Sequence, residues 1–159
     1  MEDISNYEKI KADSKRFYDQ IGKVVCPAFG QEVIFTSEGF NHLVYKNDRR
    51  ERDKNVQIMK FKLLPLAQKL VGLTTTFQEY EESLQEFRVK KFKKSVQETK
   101  VVKYWGVIAI LDHRKFKVVI RKVGDNGQLN FWSVIPAWVT SQYRDIKLRT
   151  TMKGNPEDD

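Results

Sequence analysis

The chain has 159 residues, 40% of them hydrophobic, and its 29 Lys and Arg against 21 Asp and Glu give a formal charge of +8. That size and apolar content suit one domain with a real core, and the basic balance favours a polyanionic partner, although charge kept only for solubility fits the same numbers. A single cysteine, Cys26, excludes an internal disulfide and fits a reducing compartment, two histidines give a His/Cys zinc site too few ligands, and without an apolar span or signal region the expectation is a cytoplasmic protein with no membrane association.

Apolar residues at helical spacing predict an amphipathic helix over Ile4 to Ile21, closed by Gly22. Pro27 and Gly30 make the next stretch a loop, followed by a short strand at Glu32 to Phe35. Thr36 or Ser37 caps a short helix, Glu38 to Val44, which carries His42. Asn47 to Lys54, NDRRERDK, reads as a solvated charged loop. Val56, Met59, Leu63, Leu66 and Leu70 then mark one apolar face of a helix that Pro65 should kink.

Phe77 to Gln97 fits a helix or an extended start, and Arg88, Lys90, Lys91, Lys93 and Lys94 make it a basic block. A solvated face is its plain reading. Strands are expected at Val101 to Leu111, Phe116 to Val123 and Leu129 to Ile135, separated by turns at Asp112 to Lys115 and Gly124 to Gly127. A short polar element at Thr140 to Leu148 precedes a disordered acidic tail at 151–159. Helices first and a meander second predict an α+β domain, residues 1–150, with N-terminal helices on a C-terminal antiparallel sheet of about four to five strands.

No GxxxxGK[ST], GxGxxG, GxSxG or HExxH motif is present. The acidic residues form no obvious two-metal cluster, so no metal or other cofactor is expected. Metal-independent RNA cleavage remains. There the 2′-hydroxyl attacks the adjacent phosphate, and the protein supplies a base, an acid and cations.

His42, in NHLVYK, is the leading proton-transfer candidate, with Lys46 four residues on and Arg49 and Arg50 following. A half-buried structural histidine is the competing reading. His113, in a hairpin turn, is weaker. Arg121 lies mid-strand in VVIRKV, where alternation groups it with Lys117 and Val119; it meets either a phosphate or a cross-strand carboxylate. Ser133, in FWSVIPAW, is filler or a phosphate ligand opposite Arg121. Alternation groups it with Phe131 and Ile135 and puts Trp132 with Val134. Trp132, Trp138 and Tyr104 either stack bases or fill the core.

The order of VIFTSEGFNHLVYK, RRERDKNVQIMKFKLLPLA, KYWGVIAI and FKVVIRKVGDNGQLNFWSVI resembles the barnase–EndoU–colicin–RelE superfamily of small RNases, in its phage-associated branches. The resemblance spans Val33 to Ile135. It implies helices packed on an antiparallel sheet, a metal-independent endoribonuclease related to toxins, RNA as the partner and a cognate inhibitor protein as a second one. It makes His42 an acid or base, Arg121 the phosphate clamp and Ser133 its polar partner. Lys46, Arg49, Arg50, Lys117 and Trp132 complete the expected phosphate and RNA contacts. The sequence departs from the pattern in lacking a catalytic glutamate on the sheet and a second histidine on the terminal strand. The basic stretch Leu84 to Lys100 is extra. A module that binds nucleic acid without cutting it, or that only meets an inhibitor, fits these departures.

Overall fold

The computed structural model describes residues 5–136, 150–151 and 156–159. Helices α1 (Tyr7–Ile21), α2 (Ser37–Val44) and α3 (Lys54–Leu73) come early, with a hairpin of β1 (Lys23–Cys26) and β2 (Gln31–Ile34) between the first two. The meander of β3 (Glu79–Lys91), β4 (Lys94–Leu111), β5 (Arg114–Val123) and β6 (Leu129–Pro136) follows, with a two-residue β7 (Thr150–Thr151). The sheet order is β1-β2-β6-β5-β4-β3-β7, antiparallel except for β2 on β6 and β7 on β3. The α+β architecture is as expected, but the seven strands among the described residues exceed the four to five anticipated.

The extra strands have local causes. Pro27 and Gly30 do not mark a plain loop. They form a β-hairpin turn in which Phe29 and Gly30 donate to the Cys26 carbonyl and Gly30 takes φ 62°. The ambiguous stretch is strand from Glu79 on, broken by one turn: β3 and β4 pair without interruption from Glu79↔Gly106 to Lys91↔Lys94. Their turn is Phe92–Lys93, both with left-handed φ, as a two-residue hairpin of the twist-compatible kind requires.

One sheet face carries the helices. Tyr18, Phe35, Phe40, Leu43, Ile58, Phe61, Leu64, Val118, Ile120, Phe131 and Val134 are buried together there. The helix α3 runs through Pro65 without a break. Its buried surface is wider than the expected stripe and centred beside it, on Ile58, Phe61, Leu64, Ala67 and Val71, with Val56, Met59 and Leu66 only half-buried. Two polar residues on this helix, Gln57 and Lys60, are also buried.

The other face holds a second cluster of Val102, Tyr104, Val119, Trp132 and Ile135. A β-bulge assigns residues between the faces. Val119 pairs with Ser133 and Ile120 with Phe131, so Trp132 is the additional residue in β6. Phe131 and Ser133 therefore point to opposite faces, contrary to simple alternation, and Trp132 joins the side of Arg121. Trp138 and Thr140 to Leu148 lie outside the described residues. Among the described residues no helix is long and apolar enough to cross a membrane.

Candidate anion-binding site

The site forms where α2 and α3 meet the β6 edge. Thr36 caps α2, its Oγ1 accepting from the Gly39 amide at 3.4 Å. Gly39 lets this helix lie directly on β6: a Cβ there would stand 2.5 Å from the Phe131 carbonyl oxygen and 2.6 Å from the Tyr18 hydroxyl. That approach carries His42, 4% exposed, onto Trp132, with ring centroids 4.2 Å apart and planes 20° from parallel. The Arg121 guanidinium lies 4.1 Å from the same indole centroid. Helix α3 contributes Lys60, whose Nζ donates to Ser133 Oγ at 3.1 Å and to the Val134 carbonyl at 3.0 Å. His42 and Arg121 thus meet on the Trp132 indole with Ser133 beside it in β6, but among the described residues the open cleft there is lined by His42 and Trp132 and not by Arg121 or Ser133.

Arg52 is the residue that the charged-loop reading hides. The exposed turn ends at Arg50. An antiparallel bridge, Tyr45↔Glu51, then turns the chain inward, and Arg52 is 6% exposed. Its Nε donates to the His42 carbonyl at 2.8 Å, and its Nη2 stands 3.2 Å from His42 Nε2. A guanidinium only donates, so Nε2 is the bare acceptor and the proton of the neutral ring is on Nδ1. Burial, then Arg52, Lys60 and Arg121, push the His42 pKa down to about 2. In this arrangement the histidine is neutral at physiological pH and its basic nitrogen is occupied.

The donors of the site converge on residues 156–159. Trp132 Nε1 donates to the Pro156 carbonyl at 2.9 Å, Arg52 Nη1 to the Asp158 carbonyl at 2.7 Å, and both Lys60 Nζ (2.7 Å) and Ser133 Oγ (2.9 Å) to an Asp159 main-chain oxygen. The Glu157 carboxylate takes Arg121 Nη2 at 3.2 Å and Gln85 Nε2 at 2.8 Å. The stretch expected to be a disordered acidic tail therefore includes four residues with specific seats. Burial lowers the pKa of Lys60 and of Arg121, while Asp159 opposes the shift at the lysine and Glu38 at the arginine. Burial raises that of Glu157. Arg121 Nε is buried with no acceptor among the described residues.

The remaining expected contacts divide. A cleft of about 610 Å³ beside His42 and Trp132 is lined by Lys46 and Arg49 together with Glu38, Asn41, Tyr45 and Asn47. Lys46 reaches it from a non-helical segment, since α2 ends at Val44, and not by helical spacing from His42. Arg50 is exposed and pairs with Asp48 at 2.5 Å. Lys117 shares the face of Arg121 but is fully buried, bonded to the equally buried Glu79 at 3.1 Å. Burying an ammonium requires such a counter-charge, so Lys117 faces a carboxylate and not solvent. Tyr104 is fully buried and accepts from Gln85 at 3.0 Å. His113 occupies the β4–β5 turn at φ 62°, exposed and away from this cluster.

Arg52, Lys60, Glu38 and Gln85 are the residues that sequence reasoning missed. Only the buried register of Lys60, three residues after Gln57 and one before Phe61, offered a signal, and it required knowing that the helix is covered on a wide face. Among the described residues no three His, Cys, Asp or Glu side chains stand together as metal ligands. Comparison of the chain with protein-family models, curated proteins and solved structures finds no match.

Proposed function

We propose that this chain is a metal-independent endoribonuclease that binds an RNA phosphodiester where residues 156–159 now lie. The observation that carries the reading is the convergence of five donors, from Arg52, Lys60, Arg121, Trp132 and Ser133, on oxygen atoms of one short peptide segment. Oxygens at successive positions along a chain are also what a phosphodiester backbone presents. The idle Arg121 Nε supports the same reading, because a bidentate anion would use both sides of its fork.

In this reading Arg121 and Lys60 carry the phosphate charge, Ser133 donates one hydrogen bond, and the cleft beside Trp132 receives a base. His42 gains its role on binding. A phosphate that draws the Arg52 guanidinium away frees Nε2, and its negative charge raises the imidazole pKa from its depressed value. Glu38, on the cleft wall, is the nearest candidate for a second proton-transfer group. Lys46 and Arg49 extend the cationic rim. A toxin role and an inhibitor protein rest on the superfamily likeness.

A second reading, RNA binding without cleavage, is favoured by one observation: the His42–Arg52 contact leaves no free base in this state. One experiment separates the two. RNA incubated with the protein in EDTA should yield fragments ending in 2′,3′-cyclic phosphate, with His42→Ala and Arg121→Ala losing this activity. Intact RNA bound in a salt-dependent manner supports the binding module; RNA neither cut nor bound removes both.

A further inference from the structure

Beyond the pocket, the longest unaccounted feature is the end of the β3–β4 hairpin. Among the described residues, the partner strand β5 pairs up to Val123, opposite Val102, and β7 pairs with Glu79 and Tyr80. Residues 84–101 therefore leave the sheet as a two-stranded ribbon. Eight paired residues on each side, at about 3.4 Å per residue, make it roughly 27 Å long. It carries six cations (Arg88, Lys90, Lys91, Lys93, Lys94 and Lys100) against two acids, Glu86 and Glu98.

The ribbon carries costs that a merely solvated hairpin avoids. Phe92, at the turn, is 97% exposed, and Leu84 is 72% exposed. The Phe92 and Lys93 turn holds non-glycine residues at positive φ. The cations are spread along the length and over both faces. Arg88 and Lys90 alternate on one side, Lys91 and Lys94 on the other, and Lys93 is at the tip. Among the described residues, only Lys91 and Lys100 pair with an acid, the shared Glu98. A line of positive charge with an aromatic end matches a linear polyanion with stackable bases better than a planar lipid surface, which would favour apolar residues gathered at the tip. The base of the ribbon touches the pocket: Gln85 bonds both Tyr104 and Glu157.

We propose that this ribbon is an arm that grips RNA outside the pocket, holding the strand as it leaves the site. The inference rests on the pocket as the RNA site, and its test separates the two. The arm spans several nucleotides, so it contributes to long ligands and not to short ones.

Binding is read by fluorescence anisotropy with 2′-O-methyl RNA, which cannot be cleaved through its 2′-hydroxyl, as a 12-mer and as a dinucleotide. The variant R88S/K90S/K93S/K94S should bind the 12-mer at least tenfold more weakly. Its log–log salt slope should fall by about 3, at about 0.7 per single-strand phosphate contact. Its dinucleotide affinity should be unchanged. Arg121→Gln should weaken both ligands. A tip variant, F92S/K93S/K94S, repeats the measurement with fewer changes if the first fails to fold. Equal 12-mer affinity and slope in wild type and ribbon variants overturns the arm. Arg121→Gln binding both ligands normally, while the ribbon variants lose the 12-mer, overturns the pocket and leaves the arm. Tighter ribbon-dependent binding to anionic vesicles or to an acidic peptide than to RNA, at equal salt, also overturns it.

Discussion

His42 provides a sharp physical test, because its neutrality follows from geometry. The ring is buried against Trp132, with Arg52, Lys60 and Arg121 nearby, and its pKa is pushed from an ordinary 6.5 down to about 2. A depressed pKa contributes stability that is present above the unfolded value and is lost as pH falls. Between pH 6.5 and pH 2 the unfolded chain binds a proton at this position that the folded chain refuses. Well inside that window each pH unit costs about 1.4 kcal/mol, so acidification from 7.5 to 4.5 removes roughly 2.7 kcal/mol through this residue alone.

The assay is denaturant unfolding of wild type and His42→Gln between pH 7.5 and 4.5. Glutamine keeps an acceptor for Arg52 and does not titrate. Groups common to both proteins cancel in the difference. The wild type should lose stability faster by one proton's slope below pH 6.5, and the two curves should run parallel above it. Parallel curves over the whole range, or titration near pH 6 of the imidazole resonance that His42→Gln abolishes, would refute the buried, Arg52-capped histidine. With that would go the claim that its basicity must be restored by ligand.

Gly39→Ala should destabilise the fold by about 1–3 kcal/mol, because the added methyl strikes the Phe131 carbonyl and the Tyr18 hydroxyl; chemical denaturation measures the loss, and a neutral result would mean that α2 does not lie on β6 as described. Lys117→Met should cost about 3–5 kcal/mol by removing the ammonium that faces buried Glu79, and Lys117→Met with Glu79→Leu should recover most of it. Equal losses in the single and double variants would contradict the pairing. Ending the chain before Pro156 should lower the melting temperature while raising affinity for 2′-O-methyl RNA about tenfold, since the donors of the pocket lose their internal acceptors. A joint fall in both would show the segment to be structural and not in competition with ligand.

Much of the frame was legible because its signals are local. The Thr36 cap, the helix of His42 and the strands from Phe116 to Ile135 follow from turn residues and periodicity, and Arg121, Ser133 and Trp132 were chosen because a polar or aromatic residue stood where an apolar strand did not need it. What was hidden depends on partners distant in sequence. Period-2 alternation put Phe131 with Ser133, and only the bulge opposite Val119 and Ile120 moves Trp132 to the Arg121 side. A one-residue insertion of this kind has no sequence mark, yet it brings the indole within 4.1 Å of the guanidinium. Arg52 was concealed by its neighbours, since a run of seven charged residues, Asp48 to Lys54, reads as solvated until one turn buries Arg52. Lys60 was concealed by its helix, where it is one of four lysines and reads, like Lys62, as a surface position. Both cations sit at the junction of elements far apart in the chain, and burial there is costly unless oxygen atoms meet them. The strongest physical reason for regarding this junction as a binding site is therefore that cost: Arg52, Lys60 and Arg121 are stable together because an acceptor-rich chain fills the space between them.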